Sequence, residues 1–182
     1  MNTWRCLLTT LLLALAGCLE SHGPLFSPAD FQRVDGFDGD WKYVFDGKPG
    51  SIRIAANRDG SFRVLTVDGG TPVDTGNVVG FVPLTEGHYL VQRCDLRAEC
   101  IYALGGPAGD GWAFRWFFGE EEKSQPARAA TLDMQEIARR HGVSVEITSI
   151  RPGVSKPVLI DFFRERLANP GPEKLLFRLT RG

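Results

Sequence analysis

The sequence predicts an α+β fold: an antiparallel β meander of about seven strands, closed as a barrel or bent as a strongly curved sheet, followed by helix–strand–helix–strand. Three observations predict it. Short runs alternate apolar and polar residues, as in "SIRIA", "FRV" and "AFRWF", the period of a strand with one buried face. Asp-Gly pairs separate these runs at Asp46-Gly47, Asp59-Gly60, Asp68-Gly69 and Asp110-Gly111. Glycine accepts positive φ at little cost, so such pairs mark hairpin turns. In the last third the period lengthens to that of a helix.

The strands are read in order as "WKYVF" from Trp41, "SIRIAA" from Ser51, "SFRVLTV" from Ser61, "NVVGFVPL" from Asn77, "HYLVQRC" from His88, "CIYALG" from Cys100 and "GWAFRWFF" from Gly111. "TLDMQEIARRHG" then places Met134, Ile137, Ala138 and His141 on one helical face. Thr131 suits its N-cap, Asp133 its first turn and Gly142 its stop. "VSVEITSI" alternates as one strand. "SKPVLIDFFRERLANPG" reads as a second helix opened by Ser155 and Pro157, with Leu159, Phe162, Phe163 and Arg166 along one side. "LLFRLT" is a closing strand.

The N-terminus poses a different question. From Leu7 to Ala16 the chain is largely apolar for about ten residues, half of the roughly 20 that a spanning helix needs. A basic residue, Arg5, precedes the run and small residues follow it, the shape of a secretory signal. Leu15-Ala16-Gly17-Cys18 resembles the bacterial lipobox at every position. That resemblance implies cleavage between Gly17 and Cys18, then acylation of the Cys18 sulfur and of the new amino group. Two or more acyl chains anchor stably where one is marginal. The partner implied is therefore the membrane, reached through N-terminal acyl chains. In enterobacterial lipoproteins an aspartate after the cysteine retains the protein at the inner membrane. Leu19 stands there in this chain, which implies an outer-membrane location facing the periplasm. The chain divides accordingly into residues 1–17 as signal peptide, 18–38 as lipidated cysteine and flexible tether, and 39–182 as a single globular α+β domain. The tether reading rests on "ESHGPLFSPAD", which is rich in Pro, Gly and Ser and has no periodicity.

Composition narrows the function classes. The chain carries 22 acidic and 21 basic residues, so no long-range field steers a charged partner, and nucleic acid is not expected as one. Of four cysteines, Cys6 leaves with the signal and Cys18 takes the lipid. Cys94 and Cys100 remain, flanked by strands and separated by "DLRAE". Thiols in an oxidising compartment pair, and opposed residues of a hairpin are close enough to do so. A structural disulfide is expected, because a redox CxxC has two intervening residues and no second ligand pair follows.

Catalytic signals are absent: there is no G-x-S-x-G, H-E-x-x-H or phosphate-binding glycine loop. No catalytic residue, metal or cofactor is expected. "VDGFDGDW" fails the calcium-loop pattern, since Phe37 and Gly39 occupy ligand positions. His88 opens a strand and His141 closes a helix. Candidate ligand-lining side chains are Trp41, Trp112, Phe114 and Trp116. Gly39-Asp40-Trp41 resembles the G-x-W signature of lipocalins, which implies a Trp closing one barrel end under a stacked arginine. Arg128 and Arg178 are the candidates for that arginine by position. The chain as a whole is similar to uncharacterised Gram-negative lipoproteins with a strand-rich body and a helical tail. These features favour a non-catalytic binding module for an apolar ligand or a peptide. The alternative is a structural or protein-interaction lipoprotein of the envelope, and an enzyme ranks last. Oligomeric state is left open.

Overall fold

Period-two alternation over successive hairpins produces a sheet with one apolar face, and rolling it up buries that face. The computed structural model does this. It describes residues 19–45, 47–68, 71–115, 135–146, 149–150, 153–168 and 175–182. The strands are β1 (Leu19–His22), β2 (Gly39–Phe45), β3 (Lys48–Ala56), β4 (Phe62–Asp68), β5 (Thr71–Thr85), β6 (His88–Cys94), β7 (Glu99–Ala108), β8 (Gly111–Arg115), β9 (Val145–Glu146), β10 (Ser149–Ile150) and β11 (Leu175–Arg181). Among the described residues, two α-helices join them, α1, described over residues 135–141, and α2 (Lys156–Ala168), with a 3-10 turn at Pro28–Asp30.

Strands β2 to β8 pair in sequence as an antiparallel meander. β11 then pairs with both β8 and β2. Eight strands therefore close into a barrel, and the choice between barrel and curved sheet falls to the barrel. β5 is longer than its apolar run: it begins at Thr71, inside a stretch expected as loop, and a bulge opposite Val64–Leu65 absorbs the extra residues. The strand expected at "VSVEITSI" is instead two short strands, β9 and β10, paired antiparallel.

Two apolar cores lie on opposite sides of the barrel wall. Inward residues, among them Trp41, Ile54, Phe62, Phe81, Trp112 and Leu179, form the first. The outer face of β5–β7 forms the second with β1 and the helices, through Leu84, Leu90, Tyr102, Ile137, Leu159 and Phe163. The predicted face of α2 is the buried one: Leu159, Phe162, Phe163 and Arg166. Ile137 and Ala138 of α1 are likewise buried, and Gly142, at φ +67°, follows that helix. Thr131 and Met134 lie outside the described residues.

The expected tether is a correction. Residues 19–38 belong to the fold. β1 pairs antiparallel with β7 and parallel with β10, and Leu19 is wholly buried. Phe26 is 1% exposed. Its backbone is held by the buried Gln92 side chain: Phe26 N donates to Gln92 Oε1 (3.0 Å), and Gln92 Nε2 donates to Phe26 O (3.0 Å). Asp30 accepts from Ser27 N (2.7 Å) and from Lys156 Nζ (2.5 Å), tying the segment to α2. Burial raises the Asp30 carboxyl, but the Lys156 and Ser27 hydrogen bonds outweigh it and hold the group below its usual range. Apolar docking and side-chain bonds from distant strands order what composition marks as linker.

The cysteine pair sits where the hairpin reading puts it. Cys94 and Cys100 are direct partners in the β6–β7 register, with Cα atoms 4.1 Å apart and the sulfurs bonded. Asp95 Oδ1 accepts from Arg97 N (2.8 Å) and Glu99 N (3.1 Å), which shapes the turn. Replacing both cysteines by serine is expected to lower stability by about 2 kcal/mol, the loop entropy of so small a ring. Urea unfolding with and without reductant measures it. A midpoint indifferent to reductant would rule out a bridge that stabilises.

Candidate functional site

The barrel is packed solid at one end and hollow at the other. β2 runs away from the packed end, so the β2–β3, β4–β5 and β6–β7 turns all lie at the hollow one. Phe37, Phe62, Phe81 and Trp112 meet edge to face at the packed end, with ring centroids 4.7–5.6 Å apart. Trp41 lies beside them, 2% exposed, and its Nε1 donates to Phe37 O (2.8 Å).

The arginine over Trp41 is Arg181. Its guanidinium carbon lies 4.2 Å from the ring centroid, and the two residues are cross-strand partners of β2 and β11. Arg181 also donates to the carbonyls of Asp38 (2.8 Å) and Gly36. Arg178 fails for a simple reason: three residues along a strand put it on the opposite face, where it is exposed. Arg128 lies outside the described residues. The arginine also explains the glycine of the G-x-W triplet. Gly39 has φ +121°, and a Cβ there would fall 2.6 Å from Arg181 Nη1. "VDGFDGDW" is thus a turn clasped by Arg181, and Asp40 pairs with Arg53 (2.6 Å) on the outside.

Above this floor lies a cavity of about 220 Å³. Its walls are mainly apolar, including Tyr43, Phe45, Ile52, Val79, Ala103 and Phe177. Tyr43 lies across Gly50, its register partner, where a Cβ would fall 2.3 Å from the ring. Two other polar side chains line the cavity, Asn77 of β5 and Arg93 of β6, and no carboxylate does among the described residues. Large exposed apolar side chains gather around the same end: Val44 and Val73 near their turns, Leu96 in the β6–β7 turn at 86% exposure, and Leu175 at the start of β11.

Of the expected lining residues that are described, Phe114 lines the cavity and Trp41 and Trp112 do not. Trp41 and Trp112 are part of the floor beneath it, because they lie at the closed ends of their strands. Trp116, Gly17 and Cys18 lie outside the described residues. Asn77 and Arg93 were not singled out from the sequence. The signal available was parity: both are polar residues at inward positions of apolar strands, but parity needs the register first.

No family model, no curated protein and no solved structure matches the chain.

The histidines do not build a catalytic group with the cavity. His141 Nε2 lies 2.6 Å from Glu165 Oε2, tying α1 to α2 on the outside of the barrel, and Arg140 joins the same carboxylate. The His141 hydrogen bond, aided by Arg140, holds the Glu165 carboxyl below its usual range. His88 is exposed, with Nδ1 3.0 Å from Glu86 O. Among the described residues there is no cluster of three or more metal-ligating side chains.

Proposed function

We propose that the protein is a lipid-anchored envelope protein whose barrel binds a small apolar ligand without catalysing a reaction on it. The observation that carries this reading is the apolar cavity above a sealed aromatic floor. Pockets of this kind bind by burying ligand surface, with a few polar groups fixing orientation. An eight-stranded barrel is wide enough to hold one small ligand. At about 220 Å³ the cavity is below the roughly 300–1,000 Å³ of drug-sized sites, so the ligand is slim or short. The exposed apolar rim gives such a ligand a route in that is not fully aqueous. Trp41 under Arg181 supports the lipocalin likeness, and the second core and helices outside the barrel lie beyond a simple lipocalin.

The lipobox motif supports acylation at Cys18, and the Cys94–Cys100 bridge suits an oxidising compartment. In this reading the anchor has no leash. Leu19 is already buried in β1, so acylated Cys18 joins the membrane directly to the fold. The domain would sit against the outer membrane rather than swing beneath it.

Mass measurement of the protein purified from membranes tests both parts. Under denaturing conditions the mass is expected to lack residues 1–17 and to carry acyl groups, which a Cys18→Ser variant lacks. Under native conditions it is expected to carry a small apolar compound that denaturation releases. A wild type still bearing residues 1–17 without acyl groups would overturn the anchoring. A protein that arrives empty and takes up no decanol would overturn the binding module.

A further inference from the structure

The exposed apolar side chains of the barrel are not scattered over it. Among the described residues the large ones are Val44, Val73, Val78, Leu96 and Leu175. Val44 is next to last in β2, Val73 is third in β5, and Leu175 opens β11, all at the hollow end. Leu96 stands in the β6–β7 turn at 86% exposure. Val78 is the register partner of Cys94, where β6 runs into that turn. None of the five lies in a packed-end turn. Charged residues do not divide in this way. Lys48 and Arg97 are exposed at the hollow end, and Arg58, Glu86 and Asp110 in the turns at the packed one. Single exposed apolar residues are ordinary, but a set gathered at one end marks a contact surface.

The shape of this surface points to its partner. β2, β5, the β6–β7 turn and β11 are spread around the barrel, so the side chains ring the mouth of the apolar cavity. A protein would have to plug the cavity to bury such a ring. A bilayer needs no plug, because its acyl chains match the cavity walls. The turn that carries Leu96 is also braced. The Cys94–Cys100 bridge closes it and Asp95 Oδ1 accepts two of its N–H groups, which holds the leucine outward. The point of attachment agrees. Leu19 pairs with Tyr102, three residues from the hollow-end start of β7 and six from its other end. At about 3.3 Å per residue, that fastening lies roughly 10 Å from the mouth and about twice as far from the packed end. The lipid site is one residue before it.

We propose that the hollow end of the barrel docks on the bilayer surface, its apolar ring entering the headgroup zone so that the cavity opens onto acyl chains rather than water. The inference rests on the lipid-anchor reading for where the membrane lies and on the apolar-cavity reading for what lies behind the ring. It adds an orientation that neither supplies: mouth down, aromatic floor toward the periplasm.

Spin labels on the acylated protein test it, in vesicles of phosphatidylethanolamine and phosphatidylglycerol. Lys48→Cys carries a label at the hollow end and Asp110→Cys one in the β7–β8 turn, while the other mature thiols are acylated or bridged. The label at position 48 is expected to meet oxygen more often than a water-soluble nickel chelate, and the label at 110 the reverse. Adding Val44→Asp and Leu96→Asp is expected to return the first label to water while the protein stays anchored. Without acylation, as Cys18→Ser, the protein is expected to float weakly with the same vesicles, and Leu96→Asp to lower that partition by about tenfold. Circular dichroism checks that each variant folds, and the two single-label proteins stand if the Asp variants do not. An anchored protein with both labels in water, or with the label at 110 the deeper, would overturn the docking. So would self-association that shields the label at 48 before vesicles are added, which assigns the ring to a second copy. A Cys18→Ser protein that never floats would overturn the ring as a membrane contact. Decanol binding in solution reads the cavity separately: a protein that binds decanol with both labels in water loses the docking and keeps the binding module.

Discussion

Replacing Trp41 by alanine is expected to destabilise the protein by about 3–5 kcal/mol, a large share of the roughly 5–15 kcal/mol that holds a domain together. The cost has separable causes. The indole is 2% exposed and fills the bottom of the barrel beside Phe37, so its loss leaves a cavity that rigid aromatic neighbours cannot close. The Nε1 bond to Phe37 O is lost as well. Arg181 loses the ring beneath it, and with that ring one fastening between the first and last barrel strands. Arg181→Met keeps some cover over the indole and removes the charge and the bonds to Gly36 and Asp38. It is expected to cost about 1–2 kcal/mol. Urea unfolding of both variants, with unchanged dependence on denaturant, gives the comparison. A Trp41→Ala loss below about 1 kcal/mol would mean that the floor is sealed by other groups.

Much of this floor was legible in the sequence, and its key was not. Alternation and Asp-Gly turns locate the strands, because a half-buried strand has to alternate. Closure depends on β11 meeting both β2 and β8, which no local pattern encodes. Arg181 escapes for the same reason: only the register of β11 on β2 distinguishes it from Arg178. Cys94 and Cys100 were readable because their pairing is a property of one hairpin. Asn77 was hidden because its inward parity means nothing until β5 is set in register between β4 and β6. The depth of Trp41 and Trp112 was likewise hidden. An aromatic residue on an inward face can plug a barrel or line it, and strand position alone decides which.

The segment before β2 shows the sharpest contrast between composition and structure, and Gln92→Leu tests what holds it. Gln92 is 3% exposed and serves both polar groups of the Phe26 peptide backbone. Its Oε1 also accepts from the Tyr102 hydroxyl (3.2 Å), which lies 2.8 Å from Ser21 Oγ and accepts from Leu25 N (3.1 Å). Burial pushes the Tyr102 phenol above its usual range, so it stays a neutral donor at any physiological pH. Leucine matches the volume but leaves Phe26 N–H and C=O buried without partners, at about 1–3 kcal/mol each. A chain faced with that cost has an escape. It can lift the 19–31 segment off the barrel and hydrate the orphaned groups, which caps the loss at the docking energy of the segment. The variant is therefore expected to lose about 2–5 kcal/mol if the segment stays, and less if it detaches. Hydrogen exchange separates the two cases. In the detached case the amides of Leu19–His22 and Phe26 exchange quickly while those of β3 and β4 keep their protection. Uniformly faster exchange with a lower midpoint would mean that the segment and barrel unfold as one unit. Wild-type protection throughout would mean that apolar docking of Leu19 and Phe26 suffices without the amide. In the lipid-anchored reading the outcome also sets reach. A lifted segment is a leash of a dozen residues that the native fold keeps reeled in, and Gln92 is the side chain that holds it.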